Sequence, residues 1–340
     1  MAYQNVSTPR FYVDHLQYIR AIGKGFPVTE DEDIFNLNPS SFLANKSANP
    51  TATNYWDFGV FPSTTDGGVE ASGIPNVNYG ALNYIAILGH NLETCMDGYL
   101  NVAFRDNVDY DSSHDHTLDE FNLVEVVNLP VYTSVPLDGF SIATFDDYNF
   151  NGINLHFHTY DTSVENKIGS LSLGSYFNMP VAPDLSLSLE HDYSGIKKTT
   201  SMSGASFSNA NWTKPPKWGD KEAWQLGDFP RPYSGRRIWD LSFSYISDSD
   251  LEPRNYTGTI ADSQHQQGDD NWFENVLHYT MGGHLPFIFQ PDKDAVYEPQ
   301  DAYIGKIPEF AICRFDMNSF SREQVAPDVY NIKIKVKESW

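Results

Sequence analysis

Two segments of the chain alternate strictly between apolar and polar residues. In the first, Trp239, Leu241, Phe243 and Tyr245 fall on one side and Asp240, Ser242 and Ser244 on the other. In the second, Ile332, Ile334 and Val336 alternate with Lys333, Lys335 and Lys337. A period of two cannot form the stripe of a helix; it requires strands packed on one face and wet on the other, hence antiparallel sheet. Leu185, Leu187 and Leu189 against Asp184, Ser186 and Ser188 repeat the pattern. The lysines of the last segment also discourage edge-to-edge pairing if that strand is an edge.

Shorter strand candidates fill the middle of the chain. NYIAILG at 83–89 is a continuous apolar run, followed by 98–104, FNLVEVV at 121–127, FSIATF at 140–145, 153–157, and IGSLSLGSYF at 168–177. Asn, Ser, Asp, Gly and Pro fill the gaps at the spacing of a β-sandwich. Aromatics make up 14% of the residues and charged residues 20%, which suits sheets better than exposed helices. The expected fold class is all-β: antiparallel β-sandwich or jelly-roll domains, an N-terminal arm, and at most one or two short helices.

The segmentation follows from these runs. Residues 1–50 open with Phe11, Tyr12, Val13, Leu16, Tyr18, Ile19 and Ile22, readable as a strand turning into a short helix, and continue as polar text with turn signals. This predicts an arm lying on other elements. Residues 51–180 are expected to form a jelly roll and 181–340 a second β-sandwich. One helix is expected at 272–280, capped by Asp270-Asn271 and ended by Gly282-Gly283. Between 201 and 235 lies a long loop rich in Trp and Pro, a length that usually marks function or packing on a neighbour.

A net charge of −23 argues against nucleic acid as a partner, because phosphate binding needs clustered Lys and Arg. No run approaches the roughly 20 apolar residues of a membrane helix, so no membrane insertion is expected. The N-terminus shows no signal peptide, which predicts synthesis in a cytoplasm. Cys95 and Cys313 are read as buried free thiols.

Several constellations could carry chemistry. His90 and Asn91, after the apolar run, form either a ligand-binding loop or a turn tied by its own hydrogen bonds. Tyr79, Tyr84 and Tyr110 are candidates for stacking on sugars. Asp97, Asp106, Asp109 and Asp111 belong to an acidic stretch that could hold Ca²⁺ or simply be solvated; it lacks the calcium-loop pattern. His114/His116 and His156/His158 each place two imidazoles at i and i+2, but in no zinc spacing. Arg236 and Arg237 open a strand and suit carboxylate pairing, between subunits or within one. Trp212, Trp218 and Trp224 in the long loop are candidate interface residues. No nucleophile elbow, phosphate loop or dinucleotide fingerprint occurs, so no enzyme activity is expected.

Three stretches resemble tailed-bacteriophage tail proteins, including those of marine phages. STPRFYVDHLQYIRAIG is similar to their N-terminal signature. NYIAILGHNL with ENKIGSLSLGSYFNMP resembles the strand-turn and closing strands of galactose-binding-like, discoidin-type jelly rolls. GRRIWDLSFSYIS, MGGHLPFIFQPD, FAICRFD and VYNIKIKVKESW resemble distal and minor tail proteins. The resemblance implies a non-enzymatic virion protein at the tail tip or baseplate, a homo-oligomer among other tail proteins, in contact with host surface polysaccharide. A carbohydrate-binding adhesin, a head-decoration protein and a glycan-degrading enzyme are the alternatives.

Overall fold

The computed structural model describes residues 6–22, 37, 43–45, 54–60, 65–66, 69–70, 82–88, 99–105, 123–128, 140–148, 152–159, 166–185, 187–192, 196–210, 236–252, 271–295 and 310–339. Every strand pair among them is antiparallel, and the fold is all-β. Among the described residues helix is confined to three short segments, where the sequence suggests at most two: α1 (His15–Ala21), α2 (Asp248–Leu251) and a π-helix at Phe273–His278.

Ten strands form the main sheet. They are β1 (Arg10–Asp14), β2 (Leu82–Leu88), β3 (Phe140–Tyr148), β4 (Ser170–Asn178) and β5 (Ser188–Asp192), then β6 (Arg236–Ser247), β7 (Phe287–Gln290), β8 (Ala311–Phe315), β9 (Arg322–Ala326) and β10 (Val329–Glu338). Their order is β5-β6-β10-β8-β7-β1-β4-β2-β3, with β9 also paired to β10. A separate four-stranded sheet joins Asn54–Val60, Gly152–Thr159, Tyr99–Arg105 and Leu123–Asn128 in that spatial order.

The expectation of a peripheral arm is corrected at residues 10–14. β1 sits inside the main sheet, between β4 and β7, in register Phe11↔Phe177 and Phe11↔Phe289. The reason lies in its side chains: Phe11, Tyr12 and Val13 are all buried, and only a strand covered on both faces can bury consecutive residues. Strands from 1–50, 51–180 and 181–340 therefore share one hydrogen-bonded sheet, which the divisions expected at 50 and 180 do not interrupt.

The two faces of this sheet carry different cores. On one, Phe11, Phe177, Trp239, Phe287, Phe289 and Phe315 pack with Ile332, Ile334 and Val336. Trp272, just ahead of the π-helix, closes this face edge-on to Phe11 with ring centroids 4.9 Å apart. Asn271 fixes the start of that helix: its Oδ1 accepts from the Glu274 backbone N–H at 2.9 Å, and its Nδ2 donates to the Glu274 carboxylate at 2.8 Å. Gly283 follows at φ 96°, where an added Cβ would lie 2.8 Å from the Phe315 side chain, so both conformation and space require glycine. Asn271→Ala is expected to cost about 1 kcal/mol, the usual worth of a lost helix cap, read as a lowered urea midpoint with unchanged slope.

The opposite face buries Tyr12, Tyr84, Ala86, Leu88, Ile288 and Ile312 under Leu37 and Phe310. Polar groups there are paired. The Tyr12 hydroxyl donates to Gln290 Oε1 at 2.8 Å, and Arg10 donates to Asn178 Oδ1 at 2.6 Å while lying 4.3 Å over the Tyr176 ring. These contacts tie β7, β1 and β4 together across more than 160 residues of sequence.

Two strand expectations shift in detail. β6 carries a bulge between Phe243 and Ile246 opposite β10. Tyr245 consequently sits at φ 62°, 76% exposed, and Ile246 takes the core position the alternation assigned to the tyrosine. The leucine alternation at 185–189 is displaced as well: the strand is Ser188–Asp192, and Leu185 is exposed while Leu187 and Leu189 touch the core.

Candidate interaction surface

The sheet's second face changes character beyond β8. Over β10, β6 and β5 no apolar cluster lies on it among the described residues, and the polar residues of the alternating segments stand on it in rows. Register sets Lys333, Lys335 and Lys337 of β10 opposite Ser242, Asp240 and Ile238 of β6, while Arg314 of β8 lies opposite Lys337. Ion pairs then lace the rows. Lys335 reaches Asp316 at 3.1 Å, Lys337 reaches Asp192 at 2.7 Å, and Lys333 stands 3.5 Å from Asp240. The hydrogen bond and charge of Asp316 hold the Lys335 ammonium above its ordinary value. Exposed pairs of this kind contribute only about 0–1 kcal/mol each to stability. Their consequence is order: long side chains are held in fixed positions on a rigid sheet.

Where β6 begins and β10 ends, Arg236, Arg314, Phe315, Asp316, Lys337, Glu338 and Ser339 line an open groove of about 290 Å³. Arg314 crosses it, donating through Nη1 to the His284 carbonyl and through Nε to Ser339 Oγ at 3.2 Å. Partial burial pulls its guanidinium below its ordinary value. Planar guanidinium donors beside an ammonium form a surface complementary to carboxylates.

The residues singled out by sequence divide as follows. Arg236 lines the groove. Arg237 points to the opposite face and is buried: its Nη2 donates to Glu338 Oε1 at 2.9 Å, its Nε to Oε2 at 3.3 Å, and its backbone N–H to Oε2 at 2.9 Å. The intersubunit assignment is thereby corrected for Arg237, because alternation along β6 puts it on the core face with Trp239, whose ring it overlies at 5.0 Å. Tyr84 is corrected too. It is fully buried in β2, and its hydroxyl lies 2.8 Å from Ser172 Oγ, so it presents no face to a sugar. Burial raises its phenol well above the ordinary value.

His90, Asn91, Tyr79 and Tyr110 lie outside the described residues, as do Asp97, Asp106, Asp109, Asp111, Trp212, Trp218, Trp224 and the His114/His116 pair. His156 and His158 sit on the strand Gly152–Thr159, opposite Asp57 and Tyr55 of Asn54–Val60. Among the described residues no group of three or more His, Cys, Asp or Glu is placed to hold a metal ion. Cys313 is a buried free thiol, raised well above its ordinary value first by burial and then by the Glu338 charge; Cys95 is outside the described set.

Arg314 escaped the sequence reading because its segment, FAICRFD, shows no charge pattern. The lysines of β10 were visible as an outward row, but the anions that fix them come from three other parts of the chain.

No family model matches the chain, and no curated protein matches it. Among solved structures, a truncated AlyQ with CBM32 and alginate lyase domains overlaps 98% of this chain and 100% of its own, at 8% identity and a TM-score of 0.27. At that score the overlap bears on neither fold nor function.

Proposed function

We propose that this chain is a non-enzymatic structural subunit of a tailed-phage virion, assembling at the tail tip or baseplate through contacts with copies of itself and neighbouring tail proteins. The observation that carries the reading is the open half of the main sheet's second face. It is laced with ion pairs that hold Lys333, Lys335 and Lys337 against Asp240, Asp316 and Asp192, so cations and anions stand in fixed rows across it. Rows of fixed cations and anions are matched by complementary rows on a neighbouring subunit. Fixed charge rows set docking register and reject wrong partners more effectively than they add raw affinity. The motif likeness of GRRIWDLSFSYIS and VYNIKIKVKESW to distal and minor tail proteins points the same way, since those two stretches build β6 and β10.

An antibody raised against the purified chain is expected to label one end of the tail in electron micrographs of intact virions. Label on the capsid would reassign the chain to head decoration. Absence of label from virions that contain no detectable chain by mass spectrometry would remove the virion reading.

A further inference from the structure

A second feature follows β5 along the chain. The chain leaves edge strand β5 at Asp192, opposite Arg236, and within a few residues enters a two-stranded ribbon, Ile196–Thr200 paired with Ser206–Ala210. Its register runs from Ile196↔Ala210 to Thr200↔Ser206. The tip is shaped by its own hydrogen bonds: Ser201 N–H donates to the Ala205 carbonyl at 2.8 Å, Gly204 N–H to the Ser201 carbonyl at 2.9 Å, and Ala205 N–H to Ser201 Oγ at 3.1 Å. Gly204 takes φ 84°, which the turn requires.

We infer that this ribbon is an inter-subunit arm that docks on the acidic surface of a second copy of the chain. Three observations converge. First, the ribbon forms a sheet of its own, and residues 197–200 and 202–208 are exposed, including Met202 at the tip, 108% exposed, and Phe207, 62% exposed. An isolated two-stranded ribbon is marginal in water, and large apolar groups on a preformed tip gain stability only when something covers them. Second, the ribbon is cationic. From Ile196 to Ala210 it holds Lys197 and Lys198 and no acid. Third, the complementary charge is present on the same molecule: Asp and Glu number 45 against 22 Lys and Arg. Phe207 pairs with Thr199, two positions from Lys197, so one face of the ribbon offers an aromatic ring beside an ammonium. Such a face suits an acidic protein surface. A contact between a basic ribbon on one copy and an acidic patch on the next, repeated in one direction, is heterologous and closes into a ring where its rotation allows.

The inference rests on the assembly reading for the identity of its partner. Sedimentation velocity on the full chain, across about 1–100 µM, tests the two separately. The parent is expected to associate, less so at high salt. Lys197→Glu/Lys198→Glu and Met202→Ser/Phe207→Ser are each expected to weaken association about tenfold or more, with far-UV circular dichroism and melting unchanged because all four side chains are exposed. Lys333→Glu/Lys335→Glu serves as a comparison on the sheet face. If the parent associates and the ribbon variants associate equally well, the arm is wrong while assembly stands. A parent that stays monomeric overturns the arm, and virion labelling then decides membership on its own. Retention of a short DNA duplex by the parent, lost in the lysine variant, would overturn it as well.

Discussion

Replacing Glu338 with alanine is expected to lower stability by about 3–5 kcal/mol, far more than any exposed pair on the same sheet. Glu338 and Arg237 are each 4% exposed, and the carboxylate accepts from two guanidinium nitrogens and from the Arg237 backbone N–H. Removing it takes a buried carboxylate from a guanidinium that cannot lose its charge and that lies against the Trp239 ring near the Cys313 thiol. The pair itself need not be a net gain, because taking both ions out of water costs about as much as their attraction returns. Arg237→Met with Glu338→Leu is therefore expected to fall within roughly 1.5 kcal/mol of the parent, the tolerance of volume-conserving core changes. Urea denaturation of the two singles and the double closes the cycle. A loss below about 1 kcal/mol in Glu338→Ala would mean that water reaches the guanidinium. The same geometry explains why Lys333, well exposed, and its half-exposed partner Asp240 are expected to be nearly silent in the same assay.

How much of this was legible in the sequence depends on the range of the interaction. The wet-and-dry alternation of β10 was readable because each residue's face depends only on its own strand, and the structure buries Ile332, Ile334 and Val336 while leaving the lysines between them outside. The π-helix start was readable for the same reason, since Asn271 bonds to Glu274 only three residues on. The strand-to-helix passage at residues 10–21 was also local: Asp14 caps α1 by accepting from the Leu16 and Gln17 backbone N–H groups at 2.8 and 3.2 Å. The position of β1 in the sheet was not, because it is set by pairing with strands some 165 and 280 residues away, and local text carries no trace of partners. Consecutive apolar residues at 11–13 were the one available hint of a doubly covered strand. Tyr84 misled because an aromatic near a turn reads alike whether it points to solvent or to core. The ribbon at 196–210 was hidden by the habit of reading Ser- and Gly-rich text as loop, although β-branched Thr199 and Thr200 ahead of a Gly-containing tip are a hairpin signal.

Stability should also fall as pH rises from about 4 to about 7, and one residue carries the effect. Asp14 is completely buried, and burial pushes its carboxyl from the ordinary 3.8 up to about 7, against the pull of hydrogen bonds from Gln17, Leu16 and Ser172. Tyr84 and Tyr12 share its side of the sheet and are themselves raised by burial, while Arg10 on that face is engaged by Asn178 and the Tyr176 ring. The folded chain thus holds the Asp14 proton more tightly than the unfolded chain does. Below about pH 4 both states are protonated and no penalty applies; between 4 and 7 only the unfolded state ionises, and stability drops with each step in pH; above 7 the full penalty is present. A displacement of about three pK units corresponds to about 4 kcal/mol. Other carboxylates titrate over the same range, so the clean observable is a difference. Asp14→Asn keeps an oxygen for the Leu16 and Gln17 N–H groups but has no charge to desolvate, at the fixed cost of turning the Gln17 amide that now donates to Asp14 Oδ2 at 3.1 Å. Its stability relative to the parent is expected to climb by about 4 kcal/mol between pH 4 and pH 8 and to be flat outside the window. Urea midpoints of both proteins at unit pH steps measure this directly, and a pH-independent difference would show that Asp14 is hydrated in the fold. Because Asp14 caps α1 at the centre of the main sheet, the penalty above pH 7 falls on the strand that joins the two halves of the sheet, between β4 and β7.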